Sequence, residues 1–521
     1  MGMIVAALVC VVVTVGACVV MGLWPKASCV VLLVLTLLSQ TFATASGVSA
    51  LGNVDEAAVL VALLVFSVRR LVVHGSLRCL TAYWFFGAFF ALGALSSVLN
   101  TVPLSVWGLG AFLILKGPLL ALGVLQLDWE HGDLRRAARV GTVTLVFVLF
   151  SAVVNAAAPQ AWNAVVGRAP VSYRLGIPSL TGVFDHPVGL ASTMGMAFLA
   201  VLAYHRTVAR SLGTYVLMAA TGLAGLLTFR RKSVASTALV AIAGRLWLPG
   251  QKAKATVTIA ILVPAVLIVG WEPLTQVVSS SYHEYFDNVG VTARTLMTFD
   301  SAKLALGAFP LGVGFGRYGS AVAASTYSPL YVELGYQRIY GMGEGKRGGF
   351  LTDTFWPSVL AESGVLGMVC YVLALVLLMI PAWRLMRRHA EPRVRWVGAV
   401  AVSWMAQMFI ESLAAPVFTG PPMFGPVFMV VGIAAAVYLR ESSRDAVASV
   451  AVSSPPAPLR EAPWSRSSPA SSGPQDDDAA PGDLPEGTVV TASSRAHPGA
   501  ARGPDPAATH PSQLTSDEET S

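Results

Sequence analysis

Charge is what this chain has least of. Asp, Glu, Lys and Arg make up 12% of its 521 residues, against about 25% in soluble domains. With 55% hydrophobic residues, that scarcity excludes an ordinary soluble enzyme and places the chain among multi-pass membrane proteins. Cysteine is also sparse. Cys10, Cys18, Cys29, Cys79 and Cys370 lie in or beside apolar runs, match no disulfide or zinc spacing, and read as packing residues. His186 and His283 lack the helical partner or cysteine cluster that zinc requires, so no metal site is expected. The net charge of +7 sits on no basic domain outside the apolar runs, which argues against nucleic-acid binding. The first apolar run has no basic leader segment and passes straight into the second, unlike a cleaved signal peptide.

What is abundant is runs of membrane length. A spanning helix needs about 20 mostly apolar residues. Candidate spans are 3–23, 27–45, 56–73, 80–98, 104–125, 140–157, 188–204, 211–228, 233–247, 255–270, 356–380, 396–413 and 423–439. An all-α polytopic membrane protein of 12–13 transmembrane helices is expected. Lys26, Arg69, Arg70, Arg78, Arg135, Arg136, Arg139, Arg206, Arg210, Arg245 and Arg384 to Arg395 fall on alternate connections, which the positive-inside rule assigns to the cytoplasm. The other connections then face outward, among them 229–233 and a long interval, 271–355, between spans 10 and 11. From Glu441 the sequence turns to Pro, Ser, Ala, Gly and Asp and cannot bury a core. The expected organisation is a membrane domain, 1–440, and a disordered cytoplasmic tail, 441–521.

The interval 271–355 is the one long polar stretch between apolar segments, so ionisable chemistry is sought there first. It holds Arg294, Arg317 and Asp353 and gives way to an apolar run at Trp356; Glu362 follows inside that span. A second anomaly is Arg230, Arg231 and Lys232, three adjacent cations on an outward connection of almost no length. Either a span is miscounted and they are cytoplasmic, or they form an anion site at a helix end. The parity favours the anion site. The run Gly312 to Gly319 lacks the preceding strand and Gly-Lys-Ser/Thr ending of a phosphate loop and reads as a tight turn. Asp353 and Glu362 are nine residues apart, 2.5 turns of a continuous helix, which puts them on opposite faces and argues against a two-carboxylate glycosidase. Asp353 also has a plain reading as the cap of the helix that follows.

Four motifs in order resemble the superfamily of O-antigen ligases and O-antigen or exopolysaccharide polymerases, across roughly 95–439. An arginine–glycine segment precedes a Phe-x-His-Pro turn, Arg174 to Pro187. Leu227-Thr228-Phe229-Arg230-Arg231 stands where the family ends a span with Leu-Thr-x-Ser-Arg. Arg294 opens a helix that leads to Pro310-Leu311-Gly312-Val313-Gly314. Asp353 leads into Leu360-Ala361-Glu362-Ser363-Gly364-Val365-Leu366-Gly367. The chain departs from the family at Arg230 (usually Ser), Val188 and Thr354 (often Asn), and Asp353 (His in ligases), which leans toward a polymerase or another surface-glycan ligase.

The resemblance implies transfer of a glycan from a polyprenyl diphosphate to an acceptor sugar hydroxyl at the outer face of the cytoplasmic membrane, with no cofactor. Implied partners are the lipid-linked donor, a glycan or glycolipid acceptor, membrane lipids and other glycan-assembly proteins. Planar guanidinium groups stabilise a departing diphosphate without a metal, a role for Arg294 and Arg231. Arg174, Arg230, Arg317 and Glu362 complete the expected substrate-binding set, with Glu362 bracing an arginine or loop backbone. Asp353 is the expected proton acceptor. The rivals are a lipid-linked glycan flippase, against which no inverted repeat is visible, and a non-catalytic scaffold, which needs no such arginines.

Overall fold

The computed structural model describes residues 2–166, 173–174, 177–247 and 293–453, within one compact unit, Met1–Ser454. The chain is an all-α multi-pass membrane protein: eight helices among the described residues are long and apolar enough to cross a membrane. Each expected span is occupied by a helix except 255–270, which lies outside the described residues. In order they are α1 (Gly2–Leu23), α2 (Pro25–Ser46), α3 (Val54–His74), α4 (Ala82–Leu99), α5 (Leu104–Leu125), α6 (His131–Ala157), the short α7 (Pro159–Val165), α8 (Pro187–Thr207), α9 (Leu212–Leu226) and α10 (Arg231–Trp247). Beyond the undescribed segment come α11 (Ala293–Gly307), the short α12 (Ala321–Ser325) and α13 (Pro329–Glu333), then α14 (Trp356–Arg388), α15 (Pro392–Glu411) and α16 (Phe424–Ser453). A two-residue antiparallel ribbon, β1 (Tyr173–Arg174) with β2 (Ile177–Pro178), interrupts the α7–α8 connection.

Two helices overrun their apolar signal. α6 starts ahead of span 140–157 because Glu130 and Asp133 form a capping box, which satisfies amides a helix start leaves open. α16 passes Glu441, where the tail was expected to begin, and runs to Ser453. Residues 441–453 remain free of proline and carry an Arg444–Glu441 pair at 3.7 Å, so the helix has no reason to stop until Pro455. Of the expected tail, 454–521 lies outside the described residues.

The helices present large apolar side chains outward, among them Leu64, Trp84, Phe147 and Leu373. They are held inward by packing between small residues and backbone, as lipid-embedded helices are. A Cβ on Gly432 would lie 2.7 Å from the Ala121 carbonyl oxygen, and one on Gly398 would lie 2.6 Å from that of Ala382. Specific polar ties join the helices as well. Trp404 and Trp396 of α15 donate indole hydrogen bonds to the Met196 and Ala200 carbonyls of α8, at 2.7 and 3.1 Å. At the far ends of α3 and α5, Arg70 and Arg78 converge on Asp128 at 3.3 and 2.7 Å.

Candidate functional site

The site is built around a break in α14. Gly364 has φ 71° and ψ −178°, a positive-φ, extended-ψ conformation essentially confined to glycine, which has no Cβ to clash. The break turns the carbonyls of Ala361 and Glu362 away from the helix ladder. Val313 and Gly314 fill the gap, donating backbone hydrogen bonds to them at 2.8 and 3.0 Å. This approach requires glycine at 312, where a Cβ would stand 2.2 Å from the Ala361 oxygen. On its other side the same loop is pinned to the end of α4: Ser96 donates to the Gly312 carbonyl, and Ser97 accepts from the Phe315 amide at 2.9 Å. Gly312 to Gly316 is thus a tight turn locked between two helices.

Glu362 belongs to this lock. It is fully buried, and its Oε1 accepts from the Tyr318 amide at 3.0 Å and the Ser320 hydroxyl at 2.8 Å. Gly316 and Arg317 also turn their amides toward the carboxyl group, although Oε2 has no hydrogen bond of good geometry. Arg317 is half-buried and donates to the Val313 carbonyl at 3.2 Å. A tyrosine cluster carries the rest of the loop. Tyr336 donates to Asp300 at 2.9 Å, its oxygen lies 2.6 Å from that of Tyr318, and Tyr331 accepts from the Gly319 amide at 2.8 Å. Burial pushes the Tyr318 and Tyr336 phenols up, so both stay protonated donors. Asp300 and Met297 are buried on the inner face of α11, which fixes the helix against α14.

That fixing positions Arg294, in the first turn of α11. Its Nη2 donates to Asp353 Oδ2 at 3.0 Å, and each side chain is 31% exposed. Asp353 does not cap α14: the cap position is Phe355, and no side chain bonds there. Because Asp353 precedes the helix, the 2.5-turn separation from Glu362 does not apply. One carboxylate faces the site and the other is sealed in the loop.

The cationic turn approaches from α9 and α10. Thr228 ends α9 by donating to the Gly225 carbonyl at 2.6 Å, and Phe229 takes φ 53°, which reverses the chain within a few residues. The stretch before α8 is laid against this turn. Leu180 donates to the Leu227 carbonyl at 3.2 Å, Ser179 donates to that of Thr228 at 2.9 Å, and Asn155 Oδ1 accepts from the Thr181 amide at 2.9 Å. His186 is thereby placed beside Arg230. Its imidazole is held below its ordinary range, first by desolvation and then by the charge of Arg230, with Asp185 opposing and Lys232 adding to the depression. Its outer edge remains exposed. Lys232 donates to the Ala414 carbonyl at 2.8 Å and lies within electrostatic reach of Glu411, Arg294, Asp353 and Arg230.

Of the residues singled out by sequence, Arg294 and Asp353 pair directly, and Arg230 shares with them the electrostatic reach of Lys232. Arg231 is exposed at the start of α10. Arg317 and Glu362 serve the glycine turn. Arg174 pairs in register with Ile177, and its side chain lies outside what the structure describes. Lys232 and His186 join the site without having been assigned to it, although Lys232 lay in the cation triplet and His186 in the Phe-x-His-Pro turn. Among the described residues no group of three or more His, Cys, Asp or Glu side chains is arranged to hold a metal ion. No protein-family model matches the chain, and no curated protein matches it. What the arrangement offers chemically is a carboxylate and several cations at one place, fit to bind an anionic group beside a proton acceptor.

Proposed function

We propose that this protein is a membrane glycosyltransferase that moves a glycan from a polyprenyl diphosphate onto an acceptor sugar hydroxyl. The reading rests on the motif order that resembles O-antigen ligases and polysaccharide polymerases. The observation that carries it is the Arg294–Asp353 pair with Lys232 in electrostatic reach of both, and Arg230 beside Lys232. Three separated chain segments bring these groups together in a chain otherwise poor in charge. The alternation of basic loops supports an extracytoplasmic site in the cytoplasmic membrane.

In the free protein Arg294 neutralises Asp353. A diphosphate is the stronger partner for a guanidinium, which it engages with two parallel hydrogen bonds. Donor binding therefore draws Arg294 away and frees the carboxylate. The acceptor hydroxyl oxygen then attacks the anomeric carbon as its proton passes to Asp353. The bond between the anomeric carbon and the diphosphate oxygen breaks, and its electron pair leaves on the diphosphate. Arg294 stabilises the charge that develops there, while Lys232 and Arg230 hold the diphosphate equally before and during transfer. The products are the new glycosidic bond and the free polyprenyl diphosphate.

The test is full-length protein purified in detergent with a polyprenyl-diphosphate-linked glycan and an acceptor glycan. The proposal expects elongated or ligated glycan together with released lipid diphosphate. Movement of the donor across proteoliposomes with no new glycosidic bond would assign a flippase instead.

A further inference from the structure

Glu411, the last residue of α15, has no part in the reaction just described, yet it is 1% exposed and surrounded by donors. Its Oε2 accepts from the hydroxyls of Ser192 and Ser233, the latter at 3.2 Å. Its Oε1 accepts from the Ser236 hydroxyl at 3.0 Å and the Gln407 amide at 2.8 Å. Those donors come from α8, α10 and α15, so one carboxylate joins three helices. We infer that Glu411 is a positioning residue: it fixes the first turn of α10 and thereby holds Lys232 toward the Arg294–Asp353 pair. The inference rests on the donor-binding reading of the cationic turn.

The geometry explains how α10 tolerates its own sequence. A helix N-terminus carries partial positive charge, and α10 begins Arg231-Lys232. Two cations there are locally unfavourable. Ser233 and Ser236 lie three residues apart on one helix face, both buried, and both reach Glu411. The end of α15 answers the start of α10 twice more. Its C-terminal turn presents partial negative charge, and the Ala414 carbonyl, just beyond Glu411, accepts from Lys232 Nζ at 2.8 Å. A carboxylate used only for packing is a poor choice, since an apolar side chain of similar volume fills such a space as stably. A carboxylate that orients a cation has no apolar substitute.

The experiment uses the full-length protein in detergent with E411Q, E411D, K232M and the E411Q/K232M double variant, each first checked for a cooperative thermal transition. With the polyprenyl-diphosphate glycan, E411Q is expected to raise donor KM by about 10-fold while kcat changes by less than about 3-fold, the pattern of lost ground-state binding. In the K232M background E411Q should add little, because coupled residues are not additive. E411D, which keeps the charge but withdraws it, should fall between wild type and E411Q, and it carries the test if E411Q does not fold. Unchanged KM in the folded variants, or full additivity with K232M, overturns the inference. A second readout needs no donor. Removing a nearby negative charge favours the neutral amine, so acylation of Lys232 by an amine-reactive ester, followed by mass spectrometry, should be at least ~3-fold faster in E411Q. An unchanged rate overturns the inference. Faster acylation in a protein whose wild type transfers no glycan would overturn the transferase reading alone.

Discussion

Arg294 and Asp353, 59 residues apart in sequence, meet in a hydrogen bond of 3.0 Å. One comes from the first turn of α11 and the other from the turn before α14. The proposed base is thus held by the same cation that the proposed donor requires, so the two substrates report on one ion pair.

The shape of the Arg294 side chain is therefore tested separately from its charge. Arg294→Lys should be nearly as damaging as Arg294→Ala, because one ammonium does not reproduce a two-point fork. Loss of a transition-state contact of this kind is worth ~100- to 1000-fold in rate by analogy with oxyanion donors. Single-turnover transfer measured at saturating donor gives the answer, and near wild-type rates in the lysine variant would exclude bidentate binding.

The break in α14 yields a stability prediction. Gly364→Ala forces a side chain into φ 71°, with its Cβ 2.7 Å from the Leu311 carbonyl carbon. A side chain held in that sparsely populated backbone region costs about 1–3 kcal/mol, and overpacking costs about 1–3 kcal/mol. The variant should melt several degrees lower in detergent and accumulate poorly. Gly307→Ala, where no atom lies within 4 Å of the added Cβ, is the matched control and should melt as wild type.

His186 gives a pH prediction with a definite sign. Its folded pKa lies below the ordinary value of 6.5, so between the two values the unfolded chain binds more protons and stability rises with pH. Protonation also removes the acceptor that His186 Nδ1 offers the Val188 amide at 3.3 Å. The His186 contribution is intact above the ordinary value of 6.5 and is lost as pH falls through the depressed folded value. His186→Gln should flatten that part of the stability profile, as seen in thermal midpoints between about pH 7 and 5.

The facing of the cationic turn is open to direct labelling. Ser233 is a poor probe, being 1% exposed and bonded to Glu411. Arg231 is exposed. A cysteine at 231, in a background without the native cysteines, should react with a membrane-impermeant thiol reagent in intact cells. Reaction only after lysis would place the turn inside and remove it from an outward site.

How much of this was legible depended on contrast. Span 104–125 coincides with α5, because an apolar run of membrane length has one stable form in lipid. Arg294, Asp353 and Arg230 stood out because they lie in the one long polar interval and the one cation triplet of a chain poor in charge. Glu411 was invisible because it lies near the end of the run 396–413, where a single acid reads as the edge of a span, and its meaning lies in serines from two other helices. The break at Gly364 was equally hidden, since Leu360 to Gly367 continues an apolar period and only the docking of Gly312 shows why the helix parts there. Lys232 was seen as charge but not as a site member, because its direction is set by Ala414 and Glu411 across the bundle.

The central claim is that Asp353, once released by Arg294, takes the acceptor proton. Asp353→Asn removes the proton acceptor with almost no change of volume, and it also removes the competitor for Arg294. The deciding measurement is single-turnover transfer by this variant, alongside equilibrium binding of the lipid-diphosphate donor. The account predicts donor affinity equal to or tighter than wild type and a transfer rate lower by ~100-fold or more, the scale of a lost general base. Transfer at the wild-type rate with Asn at 353 would contradict it.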